Sequence, residues 1–377
     1  MMKICYVADA ESAHTQRWVR YFADIGHDVH LISTTSVAGG SIGKVKLHVI
    51  KMIRPHIRVV SFPAKVLYSI IQVRKFIKEI EPDILHAHYI TDFGFLGVLS
   101  SFHPFVMSAW GSDVRYDAKH NRIIKILAQY ILKNADVVHV DADHMRDELI
   151  RIGVEKEKIR IIYYGTDTKR HSPEKKDESL KQKLGFADLP TVISTRNLEP
   201  IYDVESFVNA MPLILKEDPD VRFIIAGDGT QRDYLKDLAK SLGVSEYIRF
   251  VGHIPSNELP RYLASSDIYV STAFSDGGLA SSTAEAMACQ LPVVITDFGD
   301  NRKWVKDSVN GFLVPLKSPE EIASKIIFLL KNEKMRLEFG QVSRQIIEER
   351  SEREKEMRKV ESLYIELVQR YKTIKSS

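Results

Sequence analysis

The sequence predicts an α/β protein built from two doubly wound, Rossmann-like domains. Three observations carry this. Short apolar runs rich in β-branched residues alternate with helix-patterned stretches, as βαβ units on parallel sheets do. The alternation runs its course twice, with a charged stretch between. The chain has 377 residues, more than one hydrophobic core usually organises and enough for two.

In the first half the strand-like runs are Lys3–Ala8, Asp28–Ser33, Val45–Ile50, Asp83–Ala87, Pro104–Ala109, Asp136–Val140 and Ile159–Tyr164. In the second they are Thr191–Thr195, Val221–Ala226, Ile248–Val251, Asp267–Ser271, Pro292–Thr296 and Gly311–Val314. The stretch from Thr166 to Pro190 is charged, poor in branched apolar residues and bounded by prolines, which marks an interdomain segment. The expected division is therefore 1–168, a linker over 169–188, a second domain over 189–350, and a last segment over 351–377. In that last segment Met357, Val360, Leu363, Ile365, Leu367 and Val368 recur at helical spacing, as on an amphipathic surface helix.

Composition narrows the class. Hydrophobic residues make up 44% and charged residues 27%, and the formal net charge is +3. That is an ordinary soluble composition, and the charge is too small to argue for nucleic acid. Cys5 and Cys289 stand alone in apolar surroundings, which fits a reducing compartment rather than a disulfide framework. The beginning of the chain lacks a signal-peptide pattern, and no apolar run reaches the ~18 residues of a membrane span. The expected location is cytoplasmic.

The stretch "SDGGLASSTAEAMACQLPVV", Ser275 to Val294, carries the most chemistry. It follows a strand. Gly277 and Gly278 permit close backbone approach, Ser281, Ser282 and Thr283 suit a helix start, and the alanines propagate the helix. A glycine loop opening a helix at the carboxyl end of a parallel strand binds anions, phosphate above all. Glu285 lies a turn further in. A carboxylate there repels phosphate and suits a hydroxyl pair such as a ribose; the competing reading is a capped helix with a solvated glutamate. Other loops after strands in this half add Arg196, a fork for phosphate oxygens, Gly227 and Gly229 around Asp228, Gly252 with His253 and Ile254, and Gly299, Asn301 and Arg302. Each taken singly is also consistent with a simple turn.

The first half lacks a G-x-G-x-x-G loop, which argues against a dinucleotide cofactor there. Its first loop offers Glu11, Ser12, His14 and Thr15; His14 either contacts a ligand or caps the helix. His86 and His88 share a strand face, and His88 and Asp92 are candidates for binding an acceptor, with His86 the more readily explained as structural. No His, Cys and carboxylate grouping has convincing metal spacing. Lys44, Lys46, Lys51, Arg54, Arg58, Lys65, Arg74, Lys75 and Lys78 follow one another with no acid between them and with apolar residues interleaved. This 44–78 segment reads either as a surface for an anionic membrane or as an amphipathic helix with a solvated basic face.

Taken in order, Arg196, "AGDG", "FVGHIP", "EAMACQLPVV" and "NGFLVP" resemble the family-4 glycosyltransferases of the GT-B fold, with "YYGTD" similar to the family's element before the interdomain linker. The likeness runs over nearly the whole chain. It implies a retaining transferase that moves a sugar from a nucleoside-diphosphate sugar, UDP- or GDP-linked and used as co-substrate, to a glycan or lipid-linked acceptor without a metal or other cofactor. It places the donor on the second domain and the acceptor on the first, across a cleft, with the last helix returning to the first domain. Carried over, Glu285 is the ribose-binding glutamate and Arg196 the diphosphate arginine. The backbone of Leu279, Ala280 and Ser281 matches the turn on the distal phosphate, with Gly277 and Gly278 completing its cradle, and Gly252, His253 and Ile254 run along the base. Arg196, Asp276 and Glu285 are the expected catalytic residues.

The sequence departs from the pattern at three points. The family's second glutamate falls at Gly277, and the nearest acid is Asp276, one step out. Ile201 and Tyr202 occupy the place of the diphosphate lysine, with Arg302 or Lys303 as substitute cations. Trp110 replaces the histidine before Gly111, Ser112 and Asp113. Two rival functions stand beside this reading: a nucleotide-sugar epimerase on the same fold, and, motivated by the absent lysine and the shifted acid, a non-catalytic subunit that only binds the nucleotide sugar.

Overall fold

The computed structural model describes residues 1–37, 39–50, 62–109, 122–274 and 278–376; at 62–66, 122–124 and 375–376 it describes the backbone alone. The chain divides into two compact units, Met1–Tyr163 with Met357–Ser377, and Tyr164–Glu356.

In the first unit β1 (Lys3–Val7), α1 (Ala13–Asp24), β2 (Asp28–Ser33), β3 (Lys46–Val49), α2 (Phe62–Ile80), β4 (Ile84–His88), α3 (Phe95–Leu99), β5 (Phe105–Ser108), α4 (Arg122–Asn134), β6 (Val137–Val140), α5 (Asp143–Arg151) and β7 (Ile159–Ile161) follow one another. The strands form one parallel sheet in the order β3-β2-β1-β4-β5-β6-β7. The order reverses at β1 and β4, the switch point of a doubly wound sheet. One face is packed by Val73, Ile77, Leu96, Ile131 and Leu149 from the helices. Aromatic groups fill other buried positions: Tyr6, Trp18 and Phe22 are buried together with Tyr364 of the last helix. Burying each such side chain contributes roughly 1.5–3 kcal/mol.

The second unit contains α6 (Glu178–Lys183), β8 (Thr191–Ser194), α7 (Val204–Glu217), β9 (Arg222–Ala226), α8 (Arg232–Ser241), β10 (Ile248–Gly252), α9 (Leu259–Ala264), β11 (Ile268–Ser271), α10 (Ser281–Ala288), β12 (Val293–Thr296), α11 (Asn301–Trp304), β13 (Gly311–Val314), α12 (Pro319–Lys331) and α13 (Glu333–Arg350). Its parallel sheet runs β10-β9-β8-β11-β12-β13, the same winding as the first. Helix α14 (Arg353–Ser376) begins here, and its residues from Met357 belong to the first unit. The strands read as unbroken apolar runs because both faces are covered. Phe207, Met211, Ile322 and Ile326 belong to one cluster, and Leu263, Ala286, Met287 and Ile347 to another.

The strand runs read from the sequence all appear, shifted by up to three residues at their ends, and the fold class is as predicted. The linker is placed differently. The expected linker at 169–188 lies inside the second unit, because two apolar anchors sit within its charged stretch. Phe186 is fully buried beside Ile193 and Tyr269, and Leu180 is 7% exposed. Asp177 accepts hydrogen bonds from Arg261 and its N–H donates to Ser265 Oγ at 2.8 Å. The chain enters this unit at Tyr164 instead. There Thr166 bridges to Glu352, with Thr166 N–H donating to the Ser351 carbonyl at 2.7 Å and Arg353 N–H to the Thr166 carbonyl at 3.0 Å. Residues 51–61 of the basic segment lie outside the described residues.

Candidate functional site

In the second sheet the order reverses between β8 and β11, so the loops leaving these two strands flank the crevice where α/β folds take ligands. Arg196 stands on the first loop and α10 begins after the second. The two meet directly: Arg196 Nη1 donates to Ser282 Oγ at 3.0 Å, and the Tyr269 hydroxyl, from β11, donates to the same oxygen at 2.9 Å. The guanidinium also lies over the Tyr202 ring, 4.4 Å from its centre, in cation–π range. Arg196 is only 8% exposed. An arginine stacked and hydrogen-bonded in this way presents a fixed fork rather than a mobile charge.

Helix α10 has Ala280 as its N-cap, which makes no side-chain cap bond, and no acid in its first turn. Its opening N–H groups and dipole therefore make this end a candidate anion site. Ser282 and Glu285 are three residues apart and share a helix face, so Glu285 follows the Arg196 contact by one turn. Its side chain is 13% exposed, and Oε1 lies 3.8 Å from His171 Nε2. Beneath it Cys289 is buried, and burial with the Glu285 charge pushes its thiol up to about 12. The thiol therefore stays protonated and inert.

The neighbouring loops are tied to the one bearing Arg196. Leu198 N–H donates to the Asp228 carbonyl at 3.0 Å, Gln231 N–H to the Leu198 carbonyl at 2.9 Å, and Gly227 N–H to the Gly252 carbonyl at 2.8 Å. Gly227 is needed for this approach: a Cβ there would stand 2.3 Å from the Arg196 carbonyl oxygen, at φ +145°. The glycines of "AGDG" thus bring two loops together. On the other side Thr272 Oγ1 donates to the Asp203 carbonyl at 2.7 Å, and Phe274 N–H to the Ile201 carbonyl at 3.2 Å. Asp203 sits at φ +48°, and desolvation raises its carboxyl above the usual range.

Of the other expected donor residues, Gly278, Leu279 and Ala280 lead into α10, Gly252 ends β10 at φ +70° with His253 and Ile254 following, and Ser281 is the exposed first residue of the helix. Asp276 and Gly277 lie outside the described residues. Arg302 is exposed and pairs with Asp297, and Lys303 approaches Asp300 at 3.2 Å. Both aspartates lie on the loop after β12 or at the start of α11. The sequence reading did not anticipate Ser282, Tyr269, Tyr202 or His171 as partners. Tyr202 was visible only as the residue in place of a lysine, and the Arg196–Ser282 bond joins positions 86 apart.

In the first unit, Ser12 caps α1 by accepting from Thr15 N–H at 3.4 Å, so that role is not His14's. His14 is on the exposed side of the first turn. Thr15 is buried, with Oγ1 3.5 Å from His88 Nδ1. His88 is 3% exposed, enclosed by Trp18, Tyr6 and His86. His86 contacts the Tyr364 hydroxyl and, at 2.7 Å, Ser108 Oγ, which lies 2.7 Å from His139 Nδ1. Asp92 is exposed in the turn Ile90–Gly94. Trp110, Gly111 and Asp113 lie outside the described residues. Among the described residues no helix is long and apolar enough to cross a membrane.

Comparison with known proteins bears on both units. Residues 176–346 match the family model of glycosyl transferases group 1, and residues 3–142 that of glycosyl transferase 4-like domains. An uncharacterised glycosyltransferase of Methanocaldococcus jannaschii is 28% identical over 247 residues, 65% of this chain and 62% of that protein. A GDP-mannose-dependent α-(1-6)-phosphatidylinositol monomannoside mannosyltransferase of Mycolicibacterium smegmatis is 26% identical over 218 residues, 56% of this chain and 57% of its own length. The chain thus spans less than two thirds of either relative. The crystal structure of Anabaena HepE with UDP superposes with a TM-score of 0.80 over 97% of this chain and 100% of that one, at 19% identity. The fold is shared at that level.

Proposed function

The chain belongs to the glycosyltransferases, its two halves matching the 4-like and group 1 models of that family, and from that premise we propose that it moves a sugar from a UDP- or GDP-linked donor to an acceptor hydroxyl, with retention of configuration and without a metal. The observation that carries this is the joint made by Arg196, Ser282 and the start of α10, with Glu285 one turn on. The donor diphosphate lies against the guanidinium and the helix N–H groups, and Glu285 takes the ribose hydroxyls. HepE was crystallised with UDP and the mycobacterial relative uses GDP-mannose, which supports a nucleoside-diphosphate donor of one of these two kinds.

In the reaction the bond between the sugar's anomeric carbon and the leaving phosphate oxygen breaks, and the acceptor oxygen bonds to the same face of that carbon. The acceptor's proton passes to the departing phosphate. Negative charge grows on the diphosphate, where Arg196 and the α10 terminus act on it more strongly than on the ground state. His14, Thr15, His88, Asp92, Trp110, Gly111 and Asp113 remain the candidates on the acceptor side, and Asp276 the candidate for the donor sugar's hydroxyls.

Melting the protein with a panel of nucleoside diphosphates and their sugars tests the donor half, since a ligand of the native state raises Tm. A response to UDP or GDP compounds is expected; silence across the panel would remove the reading. Proton NMR of the product anomer tests retention, and turnover in excess chelator tests metal independence.

An anionic membrane as the acceptor's location is supported by α2, where Leu67, Tyr68 and Ile71 are exposed on a helix that carries Arg74, Lys75 and Lys78. Apolar residues alongside cations suit a lipid interface. Co-sedimentation with phosphatidylglycerol vesicles, but not with phosphatidylcholine vesicles, is the expected result; equal behaviour with both would end this part.

A further inference from the structure

We propose that His171 is a positioning residue for the ribose end of the donor site, holding Glu285 through an ion pair. This rests on the reading of Glu285 as the carboxylate that takes the ribose hydroxyls, and it adds a residue that the motifs did not mark.

The imidazole is set between two acceptors. Nδ1 lies 3.3 Å from the carbonyl oxygen of Asp167, one turn back, and Nε2 lies 3.8 Å from Glu285 Oε1. A carbonyl can only accept, so Nδ1 carries its hydrogen toward Asp167, and Nε2 faces the carboxylate within ion-pair range when the ring is protonated. The ring's side chain is 6% exposed, so water screens this pair little. A carboxylate has about four acceptor directions, so the contact with His171 does not exhaust its capacity for a pair of hydroxyls.

The backbone around His171 is fixed to the helix that carries Glu285. Arg344 Nη1 donates to the carbonyl of Ala288, the last residue of α10, at 2.5 Å and to that of His171 at 3.3 Å, while Nη2 reaches the Thr168 carbonyl at 3.4 Å. One guanidinium therefore clamps the segment 168–171 against the end of α10. Asp167 ties the other side: its Oδ1 accepts from Arg170 N–H at 3.0 Å, and its Oδ2 lies 3.4 Å from Arg353 Nη1. The position of His171 is thus determined from two directions, as a residue that orients another must be.

The consequence is specificity for a ribose. With its partner in place, Glu285 is held in one orientation and its charge is balanced, so it accepts hydroxyl hydrogen bonds beside an anionic diphosphate. Without it the carboxylate loses this partner, and its charge opposes the diphosphate.

Calorimetric titration of the full chain with UDP and GDP, and with their 2′,3′-dideoxy counterparts, reads this directly. The wild type is expected to prefer the ribonucleotide by at least about tenfold. His171→Phe keeps the bulk and removes both donors; it should weaken ribonucleotide binding about tenfold and leave the dideoxy compound nearly unaffected, so the preference collapses. In a Glu285→Ala background the same change should add nothing, the mark of two residues acting as one unit. A loss shared equally by both nucleotides, or no loss, overturns the role of His171 while Glu285→Ala still abolishes the preference. Full preference in Glu285→Ala overturns the reading of Glu285 itself. Should His171→Phe fail to fold, His171→Gln, which retains a donor but no charge, carries the test and is expected to fall between the two.

Discussion

Arg196 and Ser282 are hydrogen-bonded at 3.0 Å across the switch point of the second sheet, one on the loop after β8 and the other in the first turn of α10. The cation and the helix terminus that would share a diphosphate are therefore joined before a ligand arrives. Ser282→Ala breaks this joint and also leaves the buried Tyr269 hydroxyl without its acceptor. We expect kcat/KM to fall about tenfold or more and stability by about 1–2 kcal/mol. Arg196→Lys should not preserve activity, because a point charge cannot both stack and fork. Steady-state kinetics over a donor series would decide; a fully active lysine variant would contradict the geometry.

Tyr202 supports the arginine from its face, at 4.4 Å. Tyr202→Ala should lower kcat/KM by about fivefold, since the stacked contact contributes about 0.5–1 kcal/mol and the freed guanidinium must be re-ordered. Tyr202→Phe keeps the ring and should behave like the wild type. If the alanine and phenylalanine variants are equally impaired, the contact is not what matters at this position.

Gly227 keeps two site loops in contact. Gly227→Ala places a Cβ 2.3 Å from a carbonyl oxygen at positive φ; the loops must part, and a loss of about 2 kcal/mol or more is expected. Because the clashing atom belongs to Arg196, donor affinity should fall together with the denaturation midpoint. An unchanged midpoint would show that the loop yields at no cost.

Acid should weaken the first unit. Burial holds His88 at about 3 and His139 at about 4, and His86 well below its ordinary value. Unfolded histidines titrate near ~6.5, so below that pH the unfolded chain takes up protons that the folded one refuses. Stability is complete above ~6.5 and declines as pH falls toward about 4, by up to about 1.4 kcal/mol per pH unit for each histidine. Melting curves followed by Trp18, which packs against all three rings, should shift downward between pH 7 and 5, and less so in His139→Gln. A flat profile would contradict neutral buried rings.

Tyr364 fastens the last helix within the first unit through contacts with His86 and, at 3.1 Å, with the Tyr6 hydroxyl. Tyr364→Phe removes one oxygen from a buried chain of polar groups, and a destabilisation of about 1–3 kcal/mol is expected from equilibrium unfolding in urea. A neutral result would mean that the ring alone holds the helix.

The alternation of apolar runs and helices made both sheets legible, because a strand covered on both faces has little choice but to be apolar. Glu285 and the start of α10 were also legible, since helix-opening chemistry is local. What was not legible depends on distance along the chain. Nothing near Arg196 announces Ser282, and nothing near Glu285 announces His171. The boundary was misplaced for a related reason: the charges of 169–188 are plain in the sequence, whereas Phe186 and Leu180 act only through partners that lie far away in it. The first histidine cluster shows the same limit, with His86 and His88 paired by strand spacing but Ser108, His139 and Tyr364 supplied by other elements.

The bridge between Thr166 and Glu352 has a practical corollary. Gly165 packs so closely that a Cβ would fall 2.6 Å from the Arg353 backbone, so the point where the chain enters the second unit lies beside the point where it leaves. An excised fragment that stops at 346, where the family match ends, would strip Thr166 of its bridge partner Glu352. A fragment of 164–356 keeps the pair and has neighbouring ends. Those ends could be closed by a short peptide and new ones opened in a surface loop, so this half is suited to circular permutation.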